Sequence, residues 1–161
     1  CAGDVMPTLI VNNLMPVCSV MLRRSLVEKT GWFNTALKSL EDWDYWLRAC
    51  ALGCFFAYSD DSRLAAYIRV HGASMSQNNL RMLQVQYLLR RDNIPCALNA
   101  LADKKLVDHL LQDNKKRRIR AAVHIKPMMS KMDFEQLIAK EDKCTRLKIY
   151  FKEKKNTIKT L

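Results

Sequence analysis

Nowhere in the 161 residues does an apolar run approach the roughly 18 positions that a membrane-spanning helix needs, so no helical span is expected. The start of the chain carries no basic stretch followed by an apolar core of the secretory kind. A glycine-rich phosphate loop, a Gly-x-Ser-x-Gly elbow and a His-Glu-x-x-His pair are all missing, which removes the common signatures of nucleotide triphosphatases, serine hydrolases and zinc proteases. Ser19, Ser74 and Ser76 have no base evident beside them, so no nucleophile stands out. There is also no Cys-x-x-Cys. The six cysteines lie at 1, 18, 50, 54, 96 and 144, with Cys50 and Cys54 the only close pair. Free, buried thiols are expected rather than a disulfide or metal framework, and with them a reducing, cytoplasmic setting. No internal repeat or low-complexity segment occurs. The opening Cys1-Ala2-Gly3-Asp4 has no methionine, and the chain is expected to be a piece of something longer.

What is present is a globular composition with badly distributed charge. The apolar content of 49% suits one domain with a core, or a small lobe with a helical appendage. The net charge is +11, yet residues 1–114 hold 12 Lys and Arg against 11 Asp and Glu. Residues 115–161 hold 15 against 5, so the basic character belongs to the tail.

Local patterns divide the chain in two. Residues 5–22 open as a loose apolar segment, and residues 17–22 are short, apolar and β-branched, as in a buried strand. Ser25 is placed to cap a helix over 26–30, stopped by Gly31. After a polar loop, Ser39 stands before a helix over 41–52, which ends at Gly53. Its Trp43, Trp46, Leu47 and Cys50 recur at i, i+3, i+4 and i+7, one apolar stripe. Residues 54–58 and 63–70 read as two further strands, followed by a small-residue loop over 71–76. Beyond residue 80 the pattern is helical: 80–91, then 95–112 with Asn93 as a candidate cap and Pro95 in the first turn, then a basic helix over 115–125. Pro127 breaks that helix, Ser130 with Asp133 starts another over 131–141, and residues 144–155 alternate basic with apolar residues. Residues 156–161 are expected to fray.

The densest chemistry is Glu41-Asp42-Trp43-Asp44-Tyr45-Trp46, three carboxylates among three aromatic rings at a helix start. Acids belong there on electrostatic grounds, because the first N–H groups lack intrahelical partners and the dipole is positive at that end.

Four blocks carry more than their composition: Asn13 to Arg24 around Pro16-Val17-Cys18-Ser19-Val20-Met21-Leu22, Gly31-Trp32-Phe33-Asn34, Glu41 to Arg48, and Tyr67-Ile68-Arg69-Val70-His71 with the loop to Ser76. In that order and spacing they resemble the second half of a family-2 glycosyltransferase, over about residues 10–80. The resemblance implies an α/β fold: a partial GT-A-like mixed sheet lobe over residues 1–78, followed by an α-helical, basic C-terminal extension over 79–161. It implies inverting transfer of a sugar from a nucleotide-sugar donor to an acceptor hydroxyl, in the synthesis of a bacterial cell-surface polysaccharide or lipid-linked glycan. Asp42 would be the general base and Glu41 would bind or orient the acceptor. Trp43 and Trp46 would line the acceptor site, unless the apolar stripe takes them into the core. Arg69 would contact donor phosphate or pair with an acid. His71 would complete a Mn²⁺ or Mg²⁺ site, unless it is an ordinary loop histidine. On this resemblance the nucleotide-binding half is expected to precede residue 1, and no Asp-x-Asp precedes Glu41. The chain alone is therefore expected neither to bind a nucleotide-sugar tightly nor to turn it over.

The tail admits other partners. Lys115-Lys116-Arg117-Arg118-Ile119-Arg120 and the segment 143–155 form either a solvated face or an amphipathic surface that rests on anionic lipid, peripheral on the inner face of the membrane. The competing function is a non-catalytic basic helical module for nucleic acid, anionic membrane or a protein partner. Binding to nucleic acid is not expected, because no zinc-finger, homeodomain or basic-zipper pattern is present.

Overall fold

The computed structural model describes residues 4–158 apart from 62, 64, 65, 70 and 73, with side chains described as far as residue 152. Eight α-helices organise these residues: α1 Met6–Val11, α2 Arg24–Thr30, α3 Glu41–Ala51, α4 Asn79–Leu88, α5 Ile94–Leu98, α6 Lys104–Ile125, α7 Lys131–Ile138 and α8 Lys143–Ile158. A π-helical turn, Leu89–Asn93, joins α4 to α5. No strand occurs among the described residues.

The expected mixed sheet is therefore absent, and the α/β, GT-A-like lobe is corrected to an all-helical fold. Residues 17–22 form a three-residue 3₁₀ turn, Val17–Ser19, and then run irregularly. Residues 54–58 contain only a bridge at Phe56, and residues 66–69 are irregular. The rest of the third expected strand, at 64, 65 and 70, lies outside the described residues. The physical reason is pairing. An extended run satisfies its N–H and C=O groups only beside another strand, and fewer than three paired strands are marginal in water. These runs leave Met21, Phe55 and Tyr67 at 98%, 80% and 96% of full accessibility, while Val20, Leu22 and Phe56 pack against the first cluster.

Helix ends follow local chemistry where side chains can reach. Ser130 accepts from Asp133 N–H at 3.2 Å, the expected start of α7. Gly31 and Gly53 take φ of +79° and +75° after α2 and α3, a region open to glycine because it lacks Cβ. Other ends differ from expectation. Ser25 lies inside α2, which starts one residue earlier. The single helix expected over 95–112 is broken after Leu98, and Asp103 caps α6 by accepting from Leu106 N–H at 3.0 Å. Asn93 caps nothing and reaches Asp44 instead. The loose apolar opening contains α1, whose Met6, Leu9 and Ile10 are buried. Helix α8 continues through Ile158, over residues expected to fray.

Two apolar clusters share the 22-residue α6 as a spine. The first joins α1, α3, α5 and the start of α6 around Trp43, Tyr45, Trp46, Leu89 and Leu98. The second joins α4, the later half of α6, α7 and α8 around Tyr87, Ala122, Phe134 and Ile149. Burial of several large rings, at ~25 cal/mol per Å² of apolar surface, makes α3 the heaviest contributor to the first cluster. The five described cysteines are all free, as expected, but only Cys50 is buried; Cys18, Cys96 and Cys144 are exposed.

Candidate functional site

Helix α3 begins under strain. Leu40, not Ser39, occupies its N-cap with φ +57° and ψ +23°, a left-handed conformation that a branched residue adopts at a cost of about 1–3 kcal/mol. Leu40 supplies no side-chain cap. Ser39 is buried with its Oγ unpartnered by protein.

Asp42 takes up part of the capping. Its Oδ1 accepts from the Trp43 N–H at 2.8 Å and from Asn13 Nδ2 at 3.1 Å. No donor among the described residues engages Oδ2, and the side chain is only half-buried. The carboxylate is thus held by one oxygen and presents the other. Asn13 Oδ1, on the far side of the same amide, is buried without a protein partner. Glu41 is half-buried next to Asp42.

Asp44 does different work. It is 2% exposed, accepts from Arg48 Nε at 2.9 Å through Oδ2, and accepts from Asn93 Nδ2 at 2.6 Å through Oδ1. Arg48 passes its remaining donors to the carbonyls of Thr30, at 2.7 Å, and Trp32, at 3.1 Å. A cation is thereby placed at the C-terminus of α2, where the last carbonyls lack partners. Arg90 repeats the device on α1, donating to Ile10 O at 2.7 Å and Val11 O at 2.9 Å with its guanidinium 5.0 Å from the Trp43 ring. Burial pulls Arg90 down to about 10, because desolvation disfavours its charge and the nearby Arg117 adds to this, with Asp113 offsetting part of it.

Trp43 and Trp46 are each 1% exposed. Their indole N–H groups donate to Leu9 O at 2.8 Å and Met15 O at 2.9 Å. The structure puts both rings in the core, with no open face for an acceptor. Arg69 and His71 are exposed in the segment after α3, and neither forms a hydrogen bond or ion pair with Glu41 or Asp42. The His71 N–H donates to Ser74 Oγ at 3.2 Å. No group of three His, Cys, Asp or Glu side chains that could hold a metal ion exists among the described residues. Among the described residues, then, no such cluster forms around His71.

The basic cluster is partly spent on structure. Arg117 pairs with Asp113 at 2.7 Å, Arg118 with the buried Glu141 at 3.0 Å, and Lys115 with Asp142 at 3.5 Å. Tyr87 also donates to Glu141, at 2.7 Å, and burial together with that carboxylate raises its phenol. No helix among the described residues is long and apolar enough to cross a membrane.

Asn13 is the residue that sequence reading missed at this site. It stands 29 positions from Asp42, and no spacing rule connects them. Asn93 and Arg90 escaped for the same reason.

No family model matches the chain, no curated protein matches it, and no solved structure matches it. The described residues form helices and no strand, which overturns the assignment to a family-2 glycosyltransferase of GT-A fold.

Proposed function

We propose that this chain serves sugar transfer, with Asp42 as the general base for an acceptor hydroxyl. One observation carries the reading: the Asp42 carboxylate is anchored through Oδ1 by Trp43 N–H and Asn13 Nδ2, while Oδ2 stays open at a half-buried helix start. A hydroxyl is a weak nucleophile until its proton is taken, and a fixed carboxylate with one free oxygen suits that task. As the hydroxyl oxygen attacks the anomeric carbon of a nucleotide-sugar, the nucleoside diphosphate departs and the proton passes to Oδ2. Glu41, adjacent and half-buried, orients the acceptor. The buried Trp43 and Trp46 act behind the site by fixing α3, rather than by touching sugar.

The test is transfer by the gene product that carries these residues, followed as nucleoside diphosphate released from uridine- and guanosine-diphosphate sugars in the presence of acceptor. Asp42→Asn is expected to lower kcat about a hundredfold or more, with little change in acceptor KM. Retention of most of the activity overturns the reading.

A second reading is favoured by the lysines that ring a groove between α6 and α8: a helical module without chemistry that docks through its basic face. On that reading the Asp42 variant changes nothing measurable in docking.

A further inference from the structure

Outside the α3 site, one surface combines charge and exposed apolar groups in a way the fold does not use. Gln112, Lys115, Lys116 and Ile119 lie at i, i+3, i+4 and i+7 on α6, and Cys144, Leu147, Lys148, Phe151 and Lys152 line the facing side of α8. Between them is a groove of about 560 Å³, within the size range of sites that hold small amphiphilic molecules. Its floor is apolar, from Ile119, Leu147 and Phe151. Phe151 is 64% and Leu147 48% exposed, although each stands on a helix that has a buried face elsewhere through Thr145 and Ile149. Its rim is cationic. Lys116, Lys148 and Lys152 have no carboxylate partner among the described residues, and only Lys115 is drawn aside, by Asp142 at 3.5 Å.

We propose that this groove is a docking surface for an anionic membrane, taking lipid acyl chain on the Ile119–Leu147–Phe151 floor and lipid phosphate on the lysine rim. Three features select lipid. The cations are lysines, flexible point charges on long apolar stems, which bury the stem and reach head groups of any orientation. A duplex would use the charge but leave the apolar floor facing water. A protein partner would need some 20–30 residues a side for a stable interface, far more than this groove offers, whereas interfacial helices bind with a few apolar side chains assisted by charge. Asp142 offsets the charge of Lys115, so Lys116, Lys148 and Lys152 carry the attraction.

The experiment is co-sedimentation of the chain with vesicles of phosphatidylcholine alone and of equimolar phosphatidylcholine and phosphatidylglycerol, with duplex DNA titrated separately. Binding is expected only to the anionic vesicles, falling as salt rises. Lys148→Ala with Lys152→Ala should weaken it about 30-fold. Phe151→Ala should weaken it several-fold at constant charge, and because Phe151 is exposed its circular dichroism spectrum should be unchanged. Equal binding to both vesicles, indifference to Phe151→Ala, or binding to DNA without binding to vesicles each overturns the proposal. Asp42→Asn leaves vesicle binding intact, so this proposal and the sugar-transfer reading fail separately.

Discussion

Asn13 Nδ2 lies 3.1 Å from Asp42 Oδ1, a link between the segment after α1 and the first turn of α3. Among the described residues it is the one side-chain hydrogen bond that reaches the candidate base from outside its own helix. Asn13→Ala removes the donor while Trp43 N–H keeps its hold. In the transfer assay kcat should fall about tenfold or more through misplacement of the carboxylate, and Asn13→Asp, which sets like charges side by side, should be worse. The urea midpoint should move little for Asn13→Ala, because Asn13 is only half-buried.

The two indoles should respond to loss of their N–H groups. Trp43→Phe keeps a ring but strands the Leu9 carbonyl, and Trp46→Phe strands that of Met15. Each is expected to cost about 1–3 kcal/mol in urea denaturation. Trp43→Ala should cost about 3–5 kcal/mol, since it also opens a cavity in the first core cluster and removes the ring beneath Arg90.

Asp44 is expected to be structural. Replacing it by Ala leaves Arg48 and Asn93 without their shared acceptor and removes the carboxylate that orients Arg48 toward the end of α2. The loss should be about 2–4 kcal/mol of stability, measured by urea unfolding, because the surviving partners remain partly desolvated. Asp44→Asn should recover part of this by keeping an acceptor for Asn93. Neither change should alter the pH profile of transfer once measurements are made well below the unfolding midpoint.

Cys50 supplies a pH dependence. Its desolvation by burial, with the Asp4 charge adding to it, pushes the thiol from 9.0 up to about 12. Above pH 9 the unfolded chain loses this proton while the folded chain keeps it, so the unfolded state binds fewer protons and stability falls as pH rises. The contribution is whole below pH 9 and is lost progressively toward pH 12. Cys50→Ala should flatten the stability curve across that window. Thiol labelling of the native chain at neutral pH, mapped by mass spectrometry, should mark Cys18, Cys96 and Cys144 first and Cys50 last.

Legibility followed distance along the chain. The α3 stripe of Trp43, Trp46, Leu47 and Cys50 was readable because helical neighbours are three and four residues apart, and all four are buried. The Ser130 start of α7 and the helix end before Pro127 were readable because each depends on one or two adjacent side chains. Asn13 beside Asp42, Asn93 on Asp44 and Arg90 over Trp43 were not readable, since their separations of 29, 49 and 47 positions match no local period. The same holds for strands. Residues 17–22 and 54–58 carry the right residue types, but a strand is a property of a pair.

By itself, then, the sequence determined where helices α3 and α7 lie, where glycine ends α2 and α3, that the acids gather at one helix start, and that the positive charge sits in the tail. Each of these follows from backbone propensity, capping or simple charge, all of which act within a few residues. Only the tertiary structure decided that the apolar runs would remain unpaired, that both indoles would be spent on the core, and that Asp42 would be held by Asn13 with one oxygen free. Those outcomes depend on which surfaces find a partner, and burial and hydrogen-bond satisfaction settle that between residues far apart in the chain.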